Sequence, residues 1–214
     1  MSKTYQVKEM FGPTIQGEGS LAGTPVIFVR LSRCNRWNGR TGAKPNSICY
    51  YCDTDFVGGE RLTFLQIMDE VNRLKEGTPI EHIILTGGEP LLQADRELFK
   101  NFYLSGIKVC IETNGSLPIP EGSDSFIFHI SCSPKQPFSE TRLEYCHDLK
   151  ILHPWISKEI TPVNFAEMRA DKRFLQPIAD ESLKNPDLGW TLDELYKTKG
   201  YKLSLQTHKY IGVE

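Results

Sequence analysis

Short apolar runs, set apart by polar and glycine-marked stretches, punctuate this chain. They fall at Val26 to Leu31, His82 to Thr86, Ile107 to Ile111, Phe126 to Ile130, Leu149 to Leu152, Arg173 to Gln176 and Lys202 to His208. Their length is that of strands rather than helices. His82-Ile83-Ile84-Leu85 does not alternate, the pattern of a parallel strand covered on both faces. Helical periodicity lies between the runs. Phe64, Ile67, Met68, Val71 and Leu74 form one stripe, and Thr63 with Gln66 matches a capping box. Leu91 to Ser105 carries Leu98, Phe99 and Phe102 and stops at Gly106. Thr191 with Glu194 predicts a second capping box, followed by Leu192, Leu195 and Tyr196, with a stop at Gly200.

Strands alternating with helices predict a parallel α/β fold with right-handed crossovers. Thr113 to Ser125 holds Pro118, Pro120 and Gly122, which leaves no room for a crossover helix. The chain has 214 residues, and a complete eight-fold barrel needs about 250. The expectation is therefore an α/β incomplete TIM-type barrel, with some crossover helices missing, as one domain over 1–214. An open doubly wound sheet is the structural rival, although no G-x-G-x-x-G follows a strand. No run approaches the ~20 apolar residues of a membrane span, and the first residues lack the apolar core of a secretory signal. A cytoplasmic protein with no membrane partner is expected. The net charge of -2 argues against a broad basic face for nucleic acid.

The chemistry starts at the cysteines. Cys34, Cys49 and Cys52 read C-x14-C-x2-C in a loop, 32–56, that follows the first apolar run. In parallel barrels, loops after strands carry the chemistry. Three thiolates on a four-iron cluster leave one iron open to a small molecule. A zinc site completed by a distant Cys or His is the alternative, because structural zinc takes four protein ligands. Cys110, Cys132 and Cys146 sit in or beside apolar runs and read as buried thiols. Tyr51, just before Cys52, either stacks on a purine or packs the loop. Thr86-Gly87-Gly88-Glu89-Pro90 ends the second run, where two glycines admit a ligand to the backbone and Pro90 suits a helix start.

These motifs together resemble the radical S-adenosylmethionine (SAM) enzymes, and among them the 7-carboxy-7-deazaguanine synthases. The resemblance rests on Gln16-Gly17-Glu18-Gly19, Arg30-Leu31, Cys49-Tyr50-Tyr51-Cys52-Asp53-Thr54, Thr86 to Pro90, Glu112-Thr113-Asn114-Gly115, Ser131-Cys132-Ser133-Pro134-Lys135, Leu175-Gln176-Pro177 and Gln206-Thr207-His208-Lys209-Tyr210. It departs from most radical SAM enzymes, which use C-x3-C-x2-C. It implies conversion of 6-carboxy-5,6,7,8-tetrahydropterin to 7-carboxy-7-deazaguanine with loss of ammonia. It also implies a [4Fe-4S] cluster on Cys34, Cys49 and Cys52, SAM, and Mg2+ at Thr54, with Asp53 and Asp55 as other possible ligands. A one-electron reductase such as flavodoxin and a homodimer are implied as partners.

Residue roles follow from the same resemblance. Tyr51, Gly87, Gly88, Glu89, Glu112, Asn114, Ser133, Lys135 and Gln176 would face SAM. Gln16, Gly17, Glu18, Gly19, Thr86, Arg30, His208 and the C-terminal Glu214 would face the pterin. Arg30 has a physical argument of its own, since a guanidinium in an apolar strand needs an anion, either a structural carboxylate or that of the substrate. His208 falls on the polar face of Lys202, Ser204, Gln206 and His208 if that run is a strand. Arg36, Arg40 and Lys44 of the long cluster loop either help dock an acidic reductase or belong to a plain solvated loop. Two rivals remain from the sequence: a radical SAM activase that acts on a glycine of a partner protein, and a zinc-bound interaction protein.

Overall fold

A computed structural model describes residues 2–40, 42, 47–178 and 187–213. Its elements run β1 (Thr4–Ile15), β2 (Pro25–Leu31), β3 (Glu60–Thr63), α1 (Phe64–Leu74), β4 (His82–Gly87), α2 (Arg96–Leu104), β5 (Lys108–Thr113), β6 (Ile127–Cys132), β7 (Tyr145–His153), β8 (Arg169–Pro177), α3 (Leu188–Leu195), β9 (Tyr201–Leu203) and α4 (Thr207–Ile211). One sheet of order β3-β1-β2-β4-β5-β6-β7-β8-β9 contains every strand. From β2 through β9 the neighbours are parallel, while β1 is antiparallel to both β2 and β3. Among the described residues no helix is long and apolar enough to cross a membrane.

The sheet is curled. Seven strand spacings separate β1 from β9, about 34 Å in a flat sheet at ~4.8 Å each. Yet Gly19 N donates to Ser204 Oγ at 3.0 Å, and Thr207 N to the Gly17 carbonyl at 2.9 Å. These groups lie within four residues of the two strands, a reach of ~14 Å at most. The strands therefore wrap into a partial barrel, closed at one end by loop contacts. Helices cover its outside. α1 buries Ile67 and Val71, and α2 buries Leu98, Phe99 and Phe102, in one core with Ile27, Val29, Ile83, Leu85, Val109 and Ile111. Between β5 and β6, β6 and β7, and β7 and β8 the described connections contain no α-helix, as the proline-rich Thr113 to Ser125 stretch predicts.

The two-residue period of a strand sorts the rest of each run inward. Val26, Ile84 and Cys110 form a separate apolar cluster, which Leu21 and Phe28 partly cover. One inward step beyond Phe28, Ile84 and Cys110 stand Arg30, Thr86 and Glu112, with Arg30 paired to Thr86 and Glu112 to Ser131 of β6. The inner face is thus apolar at one end and polar at the strands' C-terminal end.

Several expectations are corrected. The Leu91 to Ser105 helix is a short 3-10 turn, Pro90–Leu92, then α2, because Asp95 accepts from Leu98 N at 2.9 Å and caps the helix there. Thr191 is not a cap. It lies inside α3, and its hydroxyl donates to the Asp187 carbonyl at 2.8 Å. The Lys202 to His208 run stops as a strand at Leu203. Thr207 then turns to bond Gly17 and starts α4, so the inferred polar strand face carrying Gln206 and His208 does not form. β1 and β3 were not foreseen, and both strands sit at the antiparallel margin of the sheet.

The Thr63 and Gln66 capping box is present. Thr63→Ala should cost about 1 kcal/mol. Phe102→Ala, which empties a fully buried site, should cost about 3–5 kcal/mol. Denaturant unfolding of the two variants checks the ranking, and equal losses would contradict this placement of the core.

Candidate active site

The polar end of the barrel opens into a cleft with about 1020 Å³ of empty space, part of it open to solvent. The cluster loop reaches this cleft through a tight attachment. Arg33, at φ 78, turns the chain after β2, and its carbonyl accepts from Glu89 N at 2.8 Å. A Cβ on Gly88 would stand 2.3 Å from the Arg33 oxygen and 2.6 Å from Cys34 Cβ, so the end of β4 and the start of the cluster loop touch with no space for a side chain. Cys34, Cys49 and Cys52 all line the cleft and are free thiols. Burial pushes Cys34 up and Cys49 up to about 11. Among the described residues no three His, Cys, Asp or Glu side chains are drawn into a closed metal site. The three thiols share a wall, and no histidine lines that cleft with them.

The cleft also brings together Tyr51, Thr54, Thr86, Gly87, Gly88, Glu112, Asn114, Ser133, Lys135 and Gln176. Glu89 is placed otherwise. It is fully buried behind the wall, where its carboxylate accepts from Leu91 N, Thr113 Oγ1 and Asn114 N at 3.0, 2.9 and 2.8 Å. It ties the ends of β4 and β5 together. Among the described residues Lys135 Nζ donates to Ser133 alone, at its carbonyl and hydroxyl. Burial pushes this lysine down.

A second cavity adjoins the first and shares Glu18, Asp53, Thr54, Glu112 and Gln206 with it. Gln16, Arg30 and His208 complete the expected residues there. Arg30 Nε already meets an anion, Glu9 Oε1 at 2.6 Å. His208 enters from α4, not from a strand end, and lies against Gly17, where a Cβ would stand 1.9 Å from its Nδ1. Gly19, at φ +62, lies against Asp148 in the same way. Neither glycine lines the cavity. What they provide is close approach between the loop after β1 and its neighbours. Asp53 and Asp55 pair with Lys209 and Lys8, each at 2.6 Å. Glu214 and Lys44 lie outside the described residues. Arg36 does not project outward as a docking charge: it lines the first cleft, while Arg40 is exposed.

Two important residues, Lys150 and Asp148, were not foreseen, and Gln206 was named only as part of a motif. Lys150 Nζ bonds Glu18 and lies 3.6 Å from Glu112 Oε1. Gln206 Nε2 donates to Glu18 Oε1 at 2.8 Å. Asp148 accepts from Ser20 N and Oγ at 2.7 and 2.8 Å, and His129 Nε2 lies 3.3 Å away. Lys150 interrupts the apolar run Leu149 to Leu152, the same signal that singled out Arg30.

Known proteins are similar to this chain in sequence and fold. The radical SAM superfamily profile matches residues 42–141. The chain is 37% identical to the 7-carboxy-7-deazaguanine synthase of Bordetella pertussis, over 98% of this chain and 99% of that protein. It is 35% identical to the synthase of the same name from Bacteroides thetaiotaomicron, over 97% and 98%. The crystal structure of QueE from Escherichia coli has the same fold, with a TM-score of 0.65 at 18% identity over 94% of this chain and 93% of that one. Near-complete coverage at this level of identity, on a partial barrel whose three thiols and Gly-Gly strand end share one cleft, places the chain in the 7-carboxy-7-deazaguanine synthase family of radical SAM enzymes.

Proposed function

We propose that the chain converts 6-carboxy-5,6,7,8-tetrahydropterin to 7-carboxy-7-deazaguanine with loss of ammonia. The observation that carries the reading is the pair of joined cavities. One is lined by the three cysteines and the other by Arg30 and His208, with Glu18, Glu112 and Thr54 between them. When bound, a reduced [4Fe-4S] cluster and SAM supply a carbon-centred radical able to remove a hydrogen atom from the substrate.

The chain's own residues hold and orient. Cys34, Cys49 and Cys52 are the cluster ligands. Gly87 and Gly88 let the backbone approach the methionine end of SAM. Lys135 is the cation for its carboxylate, since its own partners are neutral oxygens. Asn114 suits the ribose. Glu112, which lines both cavities, borders the ribose and the substrate alike, and Gln176 and Tyr51 suit the adenosine. Arg30 and His208 take the substrate carboxylate, Arg30 while still braced by Glu9. Thr54, where the cavities meet, offers an oxygen to Mg2+, a hard cation that completes its shell with substrate and water. Holding both reactants in one cleft is a proximity effect. The reading extends to a cytoplasmic homodimer served by a one-electron donor such as flavodoxin.

Anaerobic loading with iron and sulfide should give a brown protein that forms 7-carboxy-7-deazaguanine from the tetrahydropterin with SAM, Mg2+ and a reductant. A colourless protein that holds zinc, or a loaded one that turns over a glycyl peptide and not the pterin, overturns the reading. Lys135→Met should weaken SAM binding roughly ten- to a hundredfold, the loss of a charge-assisted hydrogen bond, as measured by equilibrium binding. Gly88→Ala should take up less iron per chain than wild type under identical loading, because its Cβ collides with the cluster-loop backbone. Full uptake would refute that contact.

A further inference from the structure

Lys150 stands at the centre of the site, and none of the roles above uses it. It is 4% exposed on β7, between carboxylates from the loop after β1 and from β5. Both carboxylates line both cavities. Glu18 receives Lys150 and Gln206, while Glu112 receives Gln16 at 3.1 Å and Thr86 at 3.2 Å. A carboxylate has about four acceptor sites, so each keeps capacity for a ligand.

We propose that Lys150 is a positioning residue, the cation between Glu18 and Glu112 that aims their carboxylates into the cavity as paired acceptors for the N–H edge of the substrate. The inference rests on the reading above that a pterin occupies this cavity, because the aminopyrimidinone edge of a pterin presents N–H donors. Charged acceptors bind such donors about twice as strongly as neutral ones. Without a cation nearby, burial favours the protonated carboxyl, which offers a competing O–H.

The other charged groups around the pair do not replace Lys150. Asp148, two residues before it on β7, adds negative charge, is occupied by Ser20 and has His129 Nε2 3.3 Å away. His208 on α4 lies near Glu18, but burial lowers its affinity for a proton. Lys135, beyond β6, bonds Ser133 instead. Burial pushes Glu18 up, yet the charge and hydrogen bond of Lys150, helped by Gln206 and His208, prevail and hold it below the ordinary carboxylate value. Burial opposes the charge on Lys150, and its two carboxylates raise it above the ordinary lysine value.

The test uses the iron-loaded holoenzyme and three variants: Lys150→Met, Lys150→Arg and Glu18→Gln/Lys150→Met. Lys150→Met should raise KM for the tetrahydropterin at least tenfold and move the acid limb of kcat/KM to higher pH, because the unpaired buried Glu18 now protonates more readily. Lys150→Arg should keep the wild-type limb. Adding Glu18→Gln to Lys150→Met should abolish the shifted limb.

A second readout needs no substrate. Wild-type stability due to Glu18 is present above the unfolded carboxylate pKa of about 4.3 and is lost as pH falls below it. In Lys150→Met the sign reverses: the thermal midpoint should lie furthest below wild type at pH 8, and the gap should shrink as pH falls. In the double variant the gap should stay constant between about pH 5 and 8, above the range in which wild-type Glu18 titrates. A Lys150→Met enzyme with the wild-type KM and acid limb overturns the proposal, and so does a melting gap independent of pH. If Lys150→Met does not fold, the neutral pair Glu18→Gln/Lys150→Met should, and its failure too would overturn the proposal. Wild-type enzyme that makes no product sinks the pterin reading, and the melting comparison then still decides whether Lys150 holds Glu18 ionised.

Discussion

A lysine that water barely reaches must be paired, and Lys150 is paired across the open side of the barrel. Taking an ion out of water costs several kcal/mol, and removing its partner typically costs about 3–5 kcal/mol. Lys150 meets this cost with Glu18, a residue that belongs to the opposite side of the sheet. The contact therefore does two things at once. It neutralises a buried cation, and it draws the loop after β1 over the mouth of the curled sheet. Asp148, two residues away on the same inward face of β7, holds the next turn of that loop through Ser20. Gly17 and Gly19 make the fit possible, because any side chain there would collide with His208 or Asp148.

The site's position follows from the sheet. Parallel strands all deliver their C-terminal ends to one rim, and the inner face changes from Val26, Ile84 and Cys110 to Arg30, Thr86 and Glu112 on the way there. The cluster loop leaves from the end of β2, beside the Gly-Gly end of β4, its parallel neighbour. Glu89 then ties β4 to β5 from behind the wall. The motif residues thus divide into those that face the cleft and those that hold the facing residues in place. A linear motif does not make that division.

The strands of the parallel part were legible because burial on both faces leaves continuous apolar runs. β1 was not, because Glu9, Gly12 and Pro13 break its alternation, and register shifts lie on either side of Phe11. Position near the edge of the sheet tolerates such residues. The end of the chain was misread for another reason. Lys202 to His208 alternates well enough for a strand, but Thr207 bonds Gly17, a contact across 190 residues with no local signature. Thr191 likewise matched a cap by spacing alone, while the helix had already begun at Leu188. The cysteines and Gly87-Gly88 were legible because their chemistry is rare. Lys150 was visible on the same grounds as Arg30, a charge within an apolar run, but its partners come from distant segments.

Charge balance connects fold to chemistry. Arg30 has Glu9, Lys209 has Asp53, Lys8 has Asp55, and Lys150 has Glu18 and Glu112. Lys135 faces the same cleft with only the oxygens of Ser133 as hydrogen-bond partners. Its surroundings depress its proton affinity, whereas those of Lys150 raise it. Two buried lysines in one cleft are thus set in opposite senses: one is satisfied by the protein, the other stabilised only when an anion arrives. An anionic group that enters the thiol-lined cavity gains most beside Lys135. A ligand rich in N–H donors gains most beside the two carboxylates that Lys150 holds. Lys135 and the two carboxylates beside Lys150 thus favour groups of opposite sign at different points of one continuous space.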